Sequence, residues 1–367
     1  MDIRLDRDSD RTNRRQPVRK SKSKRNGKKI LFTVIIVLSL AAVACAVIFL
    51  GPKLKDKFTD AFKKETTTAA ETTTKVPYTG FVVTDAETGK SENGVFDASL
   101  YTVKTVSADD VHKGDLILVN SEHGFSFDKS ESDNVLLFGK VSCGLRASDM
   151  TINSRLIEPL NDMLSDFYDE TRLRTLNIIS AYRSFETQET LLNNKIAAVG
   201  EEQAKRLIAV PGYTEHHTGL VFDFQVFEDG KSYDFTGTGE YEWITKNCCK
   251  YGFIVRYNSD KTSVTGIDNE PWHFRYVGTP HAQIIYKKGM CLEEYLTYLK
   301  SFTFGKKHLI LEQDDFEYEI YYSSSNKLNV PKDGEYTVSG NNYDGFIVTV
   351  KRTVTAEEPS NTEKAND

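Results

Sequence analysis

The chain of 367 residues, 39% hydrophobic and 11% aromatic, is long enough for about two domains and apolar enough to bury a core, which excludes a protein disordered throughout. Its net charge of −6 conceals a division: residues 1–29 hold 12 Lys and Arg against 4 Asp, leaving 35 basic and 49 acidic side chains for the remainder. A basic head directly before an apolar run reads as a solvated flank that orients membrane insertion and touches anionic lipid, so no nucleic acid is expected as a partner.

Residues 30–50 are 21 positions without a charge, enough to cross a hydrocarbon core of about 30 Å as a helix. Lys28 and Lys29 abut the run, so the positive-inside rule puts the N-terminus in the cytoplasm and everything after Gly51 outside. The run is longer than the apolar stretch of a signal peptide, and no small-x-small cleavage site follows it. A retained single-pass anchor is expected, with Cys45 as a membrane residue. Residues 51–78 are Thr-rich with few apolar anchors and predict a flexible stalk. A folded ectodomain over 79–303, a small β module over 304–352 and a disordered tail over 353–367 complete the expected organisation.

Within the ectodomain, strand-like fragments at 80–84 and 100–103 precede an apolar run at 115–120 that predicts a buried strand. Ile152, Leu156, Ile157, Leu160, Met163, Leu164 and Phe167 recur at helical spacing, so 152–168 is expected as a helix whose stripe is core. Residues 176–180 read as a strand delivering Tyr182 and Arg183 at its end. A helix over 185–210 follows, with Gln188 in its first turn, then a short helix at 243–251 and a strand at 252–257. Helices and strands mix without regular βαβ alternation, which predicts an α+β fold with a mainly antiparallel sheet and packed helices. Short segments at 308–311, 317–322, 334–338 and 345–350, separated by Ser, Asn, Gly and Asp turns, predict the β module. Cys143, Cys248, Cys249 and Cys291 permit disulfides, but the adjacent pair would bond only under strain and none has zinc-thiolate spacing. They read as small apolar residues.

The chemistry concentrates in Thr214-Glu215-His216-His217-Thr218-Gly219-Leu220-Val221-Phe222-Asp223. A catalytic zinc ion takes three protein ligands and keeps one position open, and His216 and Asp223 can supply two. They are seven residues apart, an odd separation that would put them on opposite faces of a straight strand. The chain therefore has to bend, and Gly219 is where a bend costs least. Beyond it, Leu220, Phe222 and Phe224 alternate with Val221, Asp223 and Gln225, a strand with Asp223 on its more polar face. In Glu270-Pro271-Trp272-His273, His273 can close a two-His, one-carboxylate set and Glu270 can take a proton from water. On spacing alone, such a His and Asp are more often surface polar groups. Arg183 offers a planar cation for a free carboxylate, although by itself an Arg more often forms a surface salt bridge.

The first stretch resembles the Ser-x-His-x-x-Gly-x-Ala-x-Asp signature of the VanY-type zinc D-alanyl-D-alanine carboxypeptidases, with Thr214 for Ser and Val221 for Ala. Glu270-Pro271-Trp272-His273 matches that family's second signature, and Tyr182-Arg183-Ser184 with Gln188 is similar to a third. The resemblance spans roughly residues 115–299. It implies one Zn²⁺ on His216, Asp223 and His273, Glu270 as catalytic base, and a substrate pocket of Arg183, Gln188, Thr214, Tyr182 and Trp272. The implied substrate is a peptidoglycan stem peptide ending in D-alanine, acted on outside a bacterial membrane. The family register chooses His216 over His217, which reads as a supporting or surface residue. His112, His123, His281 and His308 match nothing and read as surface or satisfied core. Alternatives are an L,D-carboxypeptidase or stem-peptide endopeptidase of the same fold, and a non-catalytic wall-binding ectodomain. The last has no need of Glu270.

Overall fold

The computed structural model describes residues 81–87, 97–130 and 133–353. The apolar run at 30–50, the stalk and residues 354–367 lie outside the described residues. Among the described residues no helix is long and apolar enough to cross a membrane.

The site is built on a six-stranded sheet in the order Gly144–Leu145, Leu176–Ser180, Val221–Glu228, Glu270–Tyr276, Phe253–Tyr257, with Lys231–Asp234 also paired to Val221–Glu228. Only the Gly144–Leu145 pairing is parallel; the rest are antiparallel, as the irregular mixture of elements predicts. One face is covered by the helix Ile157–Thr171, whose Leu160, Met163, Leu164 and Phe167 meet Phe222, Phe224, Phe235 and Phe274 in a single apolar cluster. These rings interlock edge-to-face and offset, Phe222 lying 4.8 Å from Phe224 and 5.5 Å from Phe274.

Several boundaries differ from those read from periodicity. The helix expected from 152 begins at Ile157: Thr151–Asn153 is a strand paired with Asn134–Leu136, and Ser154–Leu156 is a tight turn. Ile152 and Leu156 still enter the same core, which is why their spacing looked helical. The helix expected over 185–210 is two, Phe185–Val199 and Glu201–Leu207, divided at Gly200, whose φ of +86° no helix interior accepts. The 243–251 segment is a helix Glu242–Asn247 followed by a tighter turn Cys248–Tyr251.

The largest difference is at 115–120, which is buried as expected but is not a strand. Its peptide groups find scattered partners instead of a ladder: the Leu116 N–H donates to Ser339 Oγ, the Leu118 N–H to the Asn341 carbonyl, and the carbonyls of Asp115 and Ile117 accept from Arg275. An apolar run reports burial, not which partner its peptide groups find.

The C-terminal strands Lys307–Gln313, Phe316–Ser323, Glu335–Gly340 and Phe346–Thr353 form a second, antiparallel sheet, completed at one edge by Phe81–Glu87. Tyr101–Thr105 pairs with Lys327–Pro331. Leu309, Leu311, Ile320 and Ile347 share one cluster with Ile254, Val277, Ile284 and Leu296, so the apolar packing runs continuously across residue 303. All four described cysteines are free thiols. Cys248 and Cys249 point into two different clusters, which fits their reading as small apolar residues.

Candidate metal centre

Two backbone irregularities bring the candidate ligating side chains together. Glu215–Thr218 forms one tight turn whose Thr214 hydroxyl accepts from the His216 N–H, and the turn ends at Gly219 in the left-handed region, φ +69°. The strand Val221–Glu228 starts immediately after, so His216 and Asp223 face each other despite their odd separation. A Cβ at Gly219 would lie 2.3 Å from Asn134 Oδ1, so the bend also needs the missing side chain. In the neighbouring strand His273 sits directly opposite Asp223. Its register against Phe253–Tyr257 shifts between Glu270 and Phe274, around Pro271, and this bulge lets Glu270 and His273, three apart, address one site.

The ligating atoms of His216, Asp223 and His273 lie within 4.8 Å of one another, and all three residues are buried. His216 donates from Nδ1 to the Ala181 carbonyl at 2.6 Å, which leaves Nε2 as a lone pair 3.4 Å from Asp223 Oδ2. His273 Nδ1 lies 2.8 Å from Asp223 Oδ1, and Glu270 Oε2 is 3.9 Å from the same nitrogen. Burial lowers the His216 pKa to about 4, helped by the Arg183 charge. Burial also opposes charge on His273, but the hydrogen bond and the charge of Asp223, followed by the nearby Glu215 carboxylate, outweigh it and lift its pKa to about 9. Burial raises Glu270, with Asp223 adding repulsion and His273 and Arg183 partly offsetting both. Two imidazoles and a carboxylate, converging with a titratable glutamate at their edge, are a donor set that fits Zn²⁺.

Arg183 is half-buried, donating from Nη1 to Gln188 Oε1 at 2.6 Å, while its buried Nε has no partner among the described residues. Gln188 is fully buried, and its amide nitrogen donates to the Ala209 carbonyl at 2.7 Å. Both ends of Gln188 are thus engaged within the protein, and it holds Arg183 from behind. The Thr214 hydroxyl is committed to the turn, and Tyr182 and Trp272 are half-buried. His217 is buried: its Nδ1–H donates to the Arg183 carbonyl and its Nε2 accepts from the Gly212 N–H, clamping the two loops around Arg183. His281 and His308 are buried with partners, Tyr295 and Thr349 for the first and Glu319 for the second. His112 and His123 are half-buried beside Asn342 and Asn120.

Glu215 was not legible as a site residue. It is 2% exposed, and its Oε1 accepts from Arg256 Nε at 2.9 Å and Arg275 Nη1 at 2.7 Å. Burial pushes its pKa up, but the two guanidinium groups win and hold it well below the usual carboxylate range. A cavity of about 670 Å³ lies elsewhere, lined by Asp115, Arg155, Tyr276, Tyr318 and Tyr336 among others. It includes none of the ligating residues, and its Arg155 and Asp115 are paired at 2.6 Å. Chemistry, not volume, therefore locates the site.

A family model described as VanY, D-alanyl-D-alanine carboxypeptidase, matches residues 149–279, an interval holding every ligating residue together with Glu270 and Arg183. A D-alanyl-D-alanine carboxypeptidase of Enterococcus faecium is 34% identical over 255 residues, 67% of this chain and 78% of that protein. The bifunctional D-Ala-D-Ala dipeptidase and carboxypeptidase VanXYC of Enterococcus gallinarum is 36% identical over 130 residues, 34% of this chain and 68% of that protein. Among solved structures, the vancomycin-resistance D,D-dipeptidase VanXYg, in complex with a D-Ala-D-Ala phosphinate analogue, is similar with a TM-score of 0.60 at 30% identity, covering 69% of this chain and 99% of its own. The chain belongs to the VanY family of D-alanyl-D-alanine carboxypeptidases.

Proposed function

We propose that the chain is a zinc carboxypeptidase that removes the C-terminal D-alanine from peptidoglycan stem peptides, held at the outer face of the bacterial membrane by the apolar run at 30–50. The observation that carries this reading is the convergence of His216, Asp223 and His273 within 4.8 Å beside Glu270. One Zn²⁺ held by His216 Nε2, the Asp223 carboxylate and His273 Nδ1 would supply the Lewis acid that polarises the scissile carbonyl and activates water near neutral pH. Glu270 takes the proton of the attacking water and passes it to the departing amine of D-alanine. The raised pKa of Glu270 suits both halves of that transfer, because a group poised nearer the working pH accepts and returns a proton with less penalty. Arg183 offers its fork to the terminal carboxylate, with its unpartnered Nε as a donor and Gln188 fixing its direction. Tyr182 and Trp272 are assigned to the walls of the cleft, and Thr214 to holding the ligand turn.

The test is to incubate the zinc-supplemented full-length protein with tetrapeptide and pentapeptide stem mimics, the D-Ala-D-Ala dipeptide and a C-terminally amidated pentapeptide. Released fragments are identified by mass spectrometry. Single D-alanine released from the free-acid pentapeptide is the expected result. Release from the tetrapeptide alone assigns an L,D-carboxypeptidase, internal cleavage regardless of amidation assigns an endopeptidase, and zinc uptake with no product assigns a binding role.

A further inference from the structure

We propose that Glu215 is a positioning residue for the metal site: its Oε2 accepts the Nε2–H of His273 and so leaves Nδ1 as the nitrogen that ligates. This rests on the metal-site reading above. Two buried atoms carry it. Among the described residues Glu215 Oε2 and His273 Nε2 each have no hydrogen-bond partner, and they lie 3.5 Å apart, a few tenths longer than a full bond. Buried polar atoms are almost always paired, so two orphans facing each other mark a bond that a small movement closes.

The rest of the carboxylate is fixed from outside the site. Both arginines donate to Oε1, which orients the group and leaves Oε2 toward the ring. Arg256 is itself gripped by Glu293 at 2.9 and 2.6 Å, and Arg275 by the carbonyls of Asp115 and Ile117. The brace thus runs from the ligand turn to the helix Leu292–Leu299, which carries Glu293, and to the irregular segment at 115–117. An imidazole that ligates is neutral and keeps one proton on its other nitrogen, where an acceptor fixes the tautomer. His273 Nδ1 faces Asp223 and Glu270, and Nε2 faces Glu215. On the metal-site reading the Nδ1 lone pair goes to the ion shared with Asp223, so the one remaining proton belongs at Nε2, toward Glu215. His216 reaches the opposite tautomer by the same device, its Nδ1–H being held by the Ala181 carbonyl.

The test combines ¹⁵N-imidazole NMR of the intact, zinc-loaded protein with zinc affinity, by chelator competition, for the unmutated protein and Glu215→Gln. Gln keeps an oxygen for the arginines but turns an NH₂ donor toward Nε2, favouring the wrong tautomer. We expect the His273 proton on Nε2 in the unmutated protein, and zinc bound about 10- to 100-fold more weakly by Glu215→Gln. A zinc-loaded protein with the His273 proton on Nδ1 overturns the proposal, as does a folded Glu215→Gln protein that binds zinc as tightly as the unmutated one. If that variant does not fold, the tautomer in the unmutated protein decides. Failure of the unmutated protein to take up zinc overturns both this proposal and the metal-site reading, which separates the two failures.

Discussion

Gly219→Ala is the sharpest test of how the turn that carries His216 is built. The residue has φ +69°, where an added Cβ costs about 1–2 kcal/mol from backbone strain alone. Its Cβ would also lie 2.3 Å from Asn134 Oδ1 and 3.3 Å from the Asn153 nitrogen, which itself donates to the Gly219 carbonyl at 3.0 Å. Overpacking of this kind adds roughly 1–3 kcal/mol. Gly266 is the internal control: its φ is +70°, but a Cβ there meets nothing within 4 Å. Gly266→Ala should therefore lose only the backbone part, and Gly219→Ala on the order of 2–5 kcal/mol in total. Equilibrium urea unfolding of both variants measures the difference, and zinc content reports whether His216 still reaches Asp223. Equal losses in the two variants, with zinc retained in both, would refute the claim that this bend is sterically set.

Glu270→Gln should keep zinc yet lower kcat by about 10²- to 10⁴-fold, since it removes the proton carrier and no proposed ligand; parallel metal analysis and steady-state kinetics check this. Arg183→Lys keeps the charge and loses the fork, so cleavage of a free-acid peptide should fall markedly. Substrate amidation should add little further loss in that variant, because both changes remove one shared contact; fully additive losses would place the carboxylate elsewhere. Glu319 gives a pH dependence remote from the metal. Burial opposes its charge, but hydrogen bonds from His308 and Tyr101 and the Arg352 charge hold its pKa down to about 2. A depressed folded-state pKa contributes stability that is complete above the unfolded value near 4.5 and is lost as the pH falls toward 2. Glu319→Gln should therefore flatten the acid limb of stability in that window, measured by urea midpoints from pH 5 to pH 2.5; an unchanged slope would dismiss this network as the cause.

The converging set of His216, Asp223 and His273 was legible because each half of it is spelled within ten residues or fewer. The odd separation of His216 and Asp223 announces a bend, and Gly219 is the residue that can supply it. Likewise, Glu270 and His273 three apart need an irregular strand, and Pro271 marks where the ladder shifts. Helical stripes and alternating strands were legible for the same local reason: 3.6- and 2-residue periods follow directly from how side chains leave the backbone. What lay beyond reach was pairing at a distance. Residues 115–120 read as a strand because burial is written in side chains, whereas the partners of their peptide groups include Ser339, Asn341 and Arg275, far away in the chain. The 81–87 strand has no evident role until it joins Lys307–Gln313. Glu215 looks like any surface glutamate until the fold brings Arg256 and Arg275, 41 and 60 residues later, onto one of its oxygens and turns the other toward His273. The sequence by itself determined the donor chemistry and the local bends. Only the tertiary structure decided which buried charges face one another, because a charge's partner depends on distance in space, which no local pattern encodes.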